Sequence, residues 1–202
     1  MASLTRSPTV QTLSVMAVVF LAQRVAGLVG AMGFLFVLGP SFPLRPWALL
    51  TSIYAHGSLA HLLGNATMLV LVGLLVESFT SSVRYHAFFV TTGVLSGLAQ
   101  ITLVSGSRVL GASGAIFAFL GYLVAANPVS SSVLDTLRLS RRGQLALFAL
   151  LAVAVTLLTG APGVAVVAHF TGFLLGLLAG RLGVLATSRP RGQTQGTSGP
   201  PG

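Results

Sequence analysis

Long apolar runs, interrupted by short polar segments, recur along all 202 residues of the chain. A helix needs about 20 mostly apolar residues to cross the hydrocarbon core of a bilayer. The pattern therefore predicts an all-α, polytopic membrane protein. Its six spanning helices are expected at about residues 9–26, 59–79, 83–105, 112–126, 144–159 and 164–187.

The fourth predicted span is short, and Asn127-Pro128 ends it on one side, because the residue before a proline disfavours helix. We expect its other end, near Ala112, to begin below the membrane surface. The segment 27–55 between the first two spans is too long for a tight connection and too apolar to be solvated. It is typical of a loop lying in the membrane interface, with Trp47 in the aromatic belt. The alternative is that the first helix continues as far as Leu38.

The predicted organisation has three parts. Residues 1–8 form a short N-terminus, residues 9–187 form one six-helix membrane domain, and residues 188–202 form a tail rich in Pro, Gly, Ser and Thr. Such a tail has no apolar period and is expected to be disordered. The first apolar run superficially resembles a signal peptide, but no cleavage pattern follows it near Ala22, so a retained helix is expected.

Composition agrees with a membrane protein and excludes several functions. The chain is 54% hydrophobic and only 6% charged, with a mean hydropathy of +0.93, whereas a soluble domain carries about 25% charged residues. The net charge of +9 does not indicate a nucleic-acid-binding protein, because the arginines are scattered singly or in pairs. The absence of cysteine excludes thiol catalysis, thiolate metal sites and disulfides.

The arginines predict the orientation of the bundle, because cytoplasmic loops of membrane proteins are enriched in Lys and Arg. With both termini cytoplasmic, three arginines face outward: Arg24, Arg45 and Arg108. Eight then face inward: Arg6, Arg84, Arg138, Arg141, Arg142, Arg181, Arg189 and Arg191. The prediction is a multi-pass protein of the cell membrane with both termini inside.

Polar residues in this topology are expected at one depth near the outer leaflet. His61 and Asn65 lie in the first two turns of the second span, Ser113 at the start of the fourth, and His169 in the second turn of the sixth. All three spans run from outside to inside. Polar and ionisable residues within a membrane are costly and usually functional, and these four coincide in depth, so they are the candidate site.

Small residues follow Ser113 and His169 at helical spacing, and such strips let two helices approach closely. If they pack together, Ser113 and His169 come within hydrogen-bonding reach, as a nucleophile and its base must. The two carboxylates, Glu77 and Asp135, are too far away to complete a triad, so a Ser–His dyad is predicted. The free amides at the start of the fourth helix, with His61 and Asn65, are candidates for oxyanion stabilisation.

These motifs, in this order on three spans, resemble the rhomboid family of intramembrane serine proteases. The resemblance rests on residues from about 32 to 180, and above all on His56-x4-His61-x3-Asn65, Gly111-Ala-Ser113-Gly114, and Ala168-His169 with Gly172 and Gly176.

The resemblance implies Ser113 as nucleophile, His169 as general base, and oxyanion stabilisation by His61, Asn65 and the Ser113 amide. It implies supporting roles for His56, which braces the first loop, and for the glycines Gly111, Gly114 and Gly172. Glu77 matches a structural glutamate of the family. The sequence departs from the family in the first loop, where Trp47 is followed by Ala48 and not by arginine, and in residues 105–110, which align with no family residue.

The expected function is therefore an intramembrane serine endopeptidase that cuts transmembrane protein substrates, without a metal or other cofactor. Each residue also has a purely structural interpretation: Ser113 could bond back to its own helix, and His61, Asn65 and His169 could link helices. His86 is expected to be merely interfacial. A metal site built from His56, His61 and His169, a transporter, and a client-binding protein without activity are the alternatives.

Overall fold

The computed structural model describes residues 6–126, 140, 142–144, 146–147, 149–150, 153 and 165–186. In these residues the regular structure is helical, apart from one isolated bridge between Leu38 and Val109. The helices are α1 Pro8–Leu28, α2 Met32–Phe36, α3 Ala48–Tyr54, α4 Leu59–Glu77, α5 Ser82–Leu103, α6 Ser113–Ala126 and α7 Val166–Arg181, with a 3₁₀ turn at Phe42–Leu44.

Local sequence signals explain both ends of α1. The Ser7 hydroxyl accepts a hydrogen bond from the Val10 amide, and Pro8 occupies the first helical position, which suits its fixed φ. The helix ends at Leu28, and Gly30 follows with a φ of 71°, a conformation that glycine adopts without strain. The alternative in which the first helix continues to Leu38 is therefore wrong. The segment after Gly30 instead folds into α2, the 3₁₀ turn and α3.

Three helices, α1, α4 and α5, are long and apolar enough to cross a bilayer, while α6 and α7 are shorter apolar helices. These five lie within a few residues of the predicted spans. The largest difference is in α7, which ends at Arg181, because Gly183 with a φ of 63° turns the chain there. Residues 144–159 of the fifth predicted span lie mostly outside the described residues, as does the tail 188–202. The six-helix count and the orientation remain predictions.

The shortest of the apolar helices, α6, lies at the centre of the bundle. Its residues Ala115, Ala118 and Phe119 are fully buried, and Phe119 packs against Tyr85 and Phe89 of α5. Helix α4 instead exposes leucines along its outer side, namely Leu63, Leu71, Leu74 and Leu75. A bilayer accommodates apolar side chains that remain exposed, so we expect this side of α4 to face lipid.

Glycines bring α6 and α7 into backbone contact. A Cβ atom on Gly176 would lie 2.1 Å from the carbonyl oxygen of Ala118, and one on Gly172 would lie 2.0 Å from that of Gly114. Gly121 of α6 likewise packs against the backbone of Phe173. No side chain fits between the two helices at these positions, so the predicted close packing of the small-residue strips is confirmed.

Candidate active site

The contact between α6 and α7 places a serine against a histidine. Ser113, the first residue of α6, and His169, in the first turn of α7, form a hydrogen bond of 2.9 Å between Oγ and Nε2. The imidazole is buried, with 8% of its surface exposed, and Ser113 is half-buried. This is the distance at which a ring nitrogen can take a proton from a hydroxyl.

The backbone before Ser113 is shaped to leave its surroundings open. The first hydrogen bond of α6 runs from the Ile116 amide to the Ala112 carbonyl, at 3.0 Å. The amides of Ser113 and Gly114 therefore have no acceptor within the helix. Gly111 has a φ of 129°, and a Cβ there would lie 2.9 Å from the His61 ring. Only glycine fits both the conformation and the space at this position.

His61 and Asn65 line the same cavity as the serine and the histidine. The cavity measures about 640 Å³ and also contacts Gly57, Ala60, Gly64, Met68, Arg108, Val109, Leu110, Phe117 and Ala165. Asn65 is buried and its amide donates to the carbonyl of His61 at 3.2 Å, which fixes the two residues one turn apart on α4. The structure thus brings together all four polar residues that the sequence placed at one depth.

The His169 ring is oriented by an aromatic contact. Phe117, one turn after Ser113, stacks on the imidazole with ring centroids 4.3 Å apart and planes inclined by 17°. The other ring nitrogen, Nδ1, is buried and has no hydrogen-bond partner among the described residues. Glu77 lies at the far end of α4, where its carboxylate accepts from the Ser7 hydroxyl at 2.7 Å and from the Thr9 amide at 3.0 Å. Glu77 therefore caps α1.

His56 is fully buried beside the site and joins the first loop to α1. Its amide donates to Gln23 of α1 at 2.8 Å, and its Nδ1 lies 3.1 Å from the Tyr54 carbonyl. Its ring also packs edge-on against His61, with centroids 5.0 Å apart. Burial, with a smaller contribution from His61, lowers the pKa of His56 to about 4 against the opposing effect of the Tyr54 hydrogen bond. The ring is neutral at physiological pH, and Nδ1 is the nitrogen that donates to the Tyr54 carbonyl.

Sequence reasoning missed Gln100, a buried amide on α5. Its oxygen accepts from the Ala168 amide at 3.1 Å, and its nitrogen donates to the Ser107 hydroxyl at 3.2 Å. One side chain thus ties the residue before His169 to the loop before Ser113. A lone glutamine inside an apolar span was the signal available, since a polar side chain in a membrane helix needs a partner.

Ser96 is a second residue that the sequence did not single out. Its hydroxyl is buried without a hydrogen-bond partner among the described residues, next to Gly114 and Gly172. It borders a small cavity of about 30 Å³ that also touches Ser113. This volume is large enough for one water molecule with polar neighbours.

The two loops that depart from the family pattern are nevertheless ordered by polar contacts. In the first loop, Arg45 donates to the Gly33 carbonyl at 3.1 Å and to the Ser41 hydroxyl, and Trp47 donates to the Phe34 carbonyl at 3.3 Å. The loop before Ser113 is held at its end, where the Gly111 amide donates to the Ser52 carbonyl at 2.8 Å.

The fold and the site together define an integral membrane protein with a serine–histidine pair beside a cavity that His61 and Asn65 also line. The family model for the rhomboid domain matches residues 43–185, more than half of the chain, and the matched region contains every residue of the site. The chain belongs to the rhomboid family, as the sequence motifs predicted.

The chain is also similar to curated proteins of Arabidopsis thaliana. It is 29% identical to RHOMBOID-like protein 4 over 135 residues, 66% of this chain and 33% of the relative. It is 28% identical to RHOMBOID-like protein 7 over 137 residues, 67% of this chain and 42% of the relative. The matched region thus spans well under half the length of either relative.

Proposed function

We propose that this protein is an intramembrane serine endopeptidase that hydrolyses peptide bonds in or near transmembrane segments of other membrane proteins. The observation that carries the proposal is the 2.9 Å hydrogen bond between Ser113 Oγ and His169 Nε2 in the wall of the 640 Å³ cavity. Membership of the rhomboid family supports the same activity. We further propose a six-helix domain in the cell membrane, with both termini cytoplasmic.

The proposed chemistry is acyl transfer in two steps. His169 Nε2 accepts the proton of Ser113 while the serine oxygen attacks the scissile carbonyl carbon. The histidine then returns the proton to the departing amine, and an acyl-enzyme remains. In the second step His169 removes a proton from water, whose oxygen attacks the ester carbonyl. As the bond to Ser113 Oγ breaks, His169 returns the proton to that oxygen, which restores the serine and releases the new carboxylic acid. Water has a route from the larger cavity, and the small cavity beside Ser96 has room to hold one molecule.

The negative oxygen of each tetrahedral intermediate needs hydrogen-bond donors. The free amides at the start of α6 point from a helix N-terminus, where the helix dipole favours negative charge. The side chains of His61 and Asn65 line the same cavity and add donors to these amides. Loss of one such donor commonly lowers the rate by about 100-fold.

The dyad functions without an acid if the histidine ring is oriented by other means. The stacked Phe117 ring limits rotation of the His169 imidazole, and the Gln100 hydrogen bond fixes the backbone just before it.

A substrate helix must unwind locally before its carbonyl reaches Ser113, because its peptide bonds are sheltered by helical hydrogen bonds. We therefore expect small or helix-breaking residues near the cleaved bond.

A fluorophosphonate probe tests the proposal without knowledge of the substrate. In detergent we expect the parent protein to be labelled at Ser113, and Ser113→Ala and His169→Ala to lose labelling by at least about 100-fold. Ser105→Ala, in the loop before the site, is the matched control and should label as the parent does. Equal labelling of the parent and Ser113→Ala would exclude an activated serine and favour a client-binding protein.

A further inference from the structure

One charged side chain faces the cavity, and neither the dyad nor the oxyanion site uses it. Among the described residues that line the 640 Å³ cavity, Arg108 is the only Arg, Lys, Asp or Glu. It lies five residues before Ser113 in the loop between α5 and α6, and it is exposed. A positive charge in the wall of this cavity will interact with any charge that a bound ligand carries there.

The backbone that carries Arg108 is held on both sides. The next residue, Val109, exchanges two backbone hydrogen bonds with Leu38 of the first loop, at 2.8 and 3.0 Å. The Arg108 stem lies over Gly39, where a Cβ atom would be 3.4 Å from the arginine Cγ. The chain is tied down again at Gly111, which donates to Ser52. The side chain is therefore presented to the cavity from an ordered loop.

The charge of Arg108 has no counter-charge in the described part of the chain, where it forms no ion pair. The whole sequence contains two carboxylate side chains, Glu77 and Asp135. Glu77 is already bound to Ser7 and Thr9 at the opposite end of α4. Asp135 is in the segment that follows the far end of α6. A guanidinium matches a carboxylate in shape and binds it through two parallel hydrogen bonds.

We propose that Arg108 is a specificity-determining residue that binds an acidic side chain of the substrate, within a few residues of the scissile bond. The inference rests on the proposed proteolytic function and narrows the substrate class to transmembrane segments with Asp or Glu at the cavity. Arg108 acts on substrate selection, and the serine–histidine pair performs the chemistry.

Paired substrates provide the test. A model transmembrane substrate is prepared with Asp or Asn at each position on either side of the cleaved bond, and kcat/KM is measured in detergent micelles. We expect the parent to prefer Asp over Asn by about tenfold at one or two positions. Arg108→Gln should abolish this preference and leave cleavage of the Asn substrates unchanged. Arg24→Gln, an exposed arginine on α1 that stacks on Phe20, is the matched control and should keep the preference.

Charge reversal separates recognition from a structural effect. Arg108→Glu should cleave the Asp substrate more slowly than Arg108→Gln does, and should gain activity on a substrate with Lys at the same position. An equal loss of activity of Arg108→Gln on Asp and Asn substrates would overturn the proposal. It would indicate that the arginine stabilises the oxyanion or the structure of the loop. A loss that appears only in vesicles with anionic lipid, and for both substrates, would overturn it in favour of a lipid phosphate.

A binding measurement distinguishes failure of this inference from failure of the proposed function. Ser113→Ala is incubated with fluorescent Asp and Asn peptides, and anisotropy reports their affinities. We expect tighter binding of the Asp peptide, about tenfold, that disappears in Ser113→Ala/Arg108→Gln. This result supports carboxylate recognition even if the parent shows no proteolysis. Equal affinity for both peptides in a parent that reacts with fluorophosphonate would contradict the role of Arg108 and leave the protease intact.

Discussion

At the scale of single residues, the candidate site depends on how one imidazole is held. His169 contacts the Ser113 hydroxyl through Nε2 and the Phe117 ring through its face. In a triad a carboxylate at the other nitrogen would fix the ring. Here Nδ1 has no such partner in the described part of the chain. In the proposed dyad, stacking by Phe117 and the hydrogen bond from the Ala168 amide to Gln100 would orient the ring in place of a carboxylate.

His56 gives a prediction at the residue scale, because its pKa of about 4 in the folded protein is below its ordinary value of 6.5. The unfolded chain therefore binds a proton at a higher pH than the folded protein does, and stability is lost as the pH falls from about 6.5 towards 4. We expect His56 to contribute a loss of about 2 kcal/mol by pH 5.

Thermal unfolding in detergent at pH 7 and pH 5 measures this loss. His56→Asn should lower stability at pH 7, because the Tyr54 and His61 contacts change, but should make the decline towards pH 5 shallower. His86→Asn is the control substitution, because His86 bonds Gln11 on the other side of the bundle. This variant should keep the contribution of His56 to the pH dependence of stability. An identical decline in the parent and His56→Asn would exclude His56 as its source.

At the scale of elements, the site is a consequence of how closely α6 and α7 approach. Gly172 and Gly176 of α7 allow its backbone to contact the carbonyls of Gly114 and Ala118. His169 lies one and two turns before these glycines on the same face, so its distance from Ser113 depends on them. A helix pair separated by ordinary side chains would hold the two groups too far apart for a hydrogen bond.

Gly176→Ala tests this dependence. Its methyl group would meet the Ala118 carbonyl at 2.1 Å, so one helix must shift. Overpacking of this kind typically costs 1–3 kcal/mol. We expect a lower unfolding temperature and at least a roughly tenfold slower fluorophosphonate reaction. Gly27→Ala in α1 is the matched control, since nothing lies within 4 Å of the added carbon. Parent-like reaction rates in Gly176→Ala would show that the helix contact at this point does not control the distance between Ser113 and His169.

At the scale of the whole molecule, the polar side chains of the site lie at an interior cavity, while apolar side chains are exposed along the outer sides of helices such as α4. Helix α6 has 14 residues, about 21 Å at 1.5 Å per residue, which is shorter than the hydrocarbon core of about 30 Å. A short central helix leaves space above its N-terminus, and the 640 Å³ cavity occupies that space. The proposed hydrolysis needs such an opening, because water must reach Ser113.

The predicted orientation has a direct test, made simple by the absence of cysteine from the sequence. Single-cysteine variants at Ser82, Ser105 and Ser188 are treated with a membrane-impermeant maleimide in intact cells. In intact cells we expect labelling at Ser105 only, because arginine placement assigns Ser105 to the outside. After permeabilisation we expect labelling at Ser82 and Ser188 as well. The reverse pattern would invert the topology, and labelling of Ser82 and Ser188 on opposite sides would contradict an even number of spans between the two.

The sequence by itself determined the features that depend on neighbours along the chain. Apolar runs set the positions of α4, α5 and α6 to within a few residues, and the Ser113 position at the start of α6 followed from the glycines around it and the apolar run after it. Spacing on a helix placed His61 and Asn65 on one face, because 3.6 residues complete a turn. The positions of the arginines predicted an orientation, and the scarcity of carboxylates predicted a dyad. Both predictions need only the composition and the order of residues along the chain.

Only the tertiary structure decided which distant residues touch. The Phe117 stack on His169 and the hydrogen bond from the Ala168 amide to Gln100 join segments far apart in sequence, and the cavity that Arg108 lines is formed by such segments. No local pattern encodes such contacts, because they depend on the angle and depth at which whole helices pack. The end of α1 at Leu28 depends on both the sequence and the tertiary structure. Gly30 permits the turn, and the packing of α2 and α3 against α1 favours this turn over a longer helix.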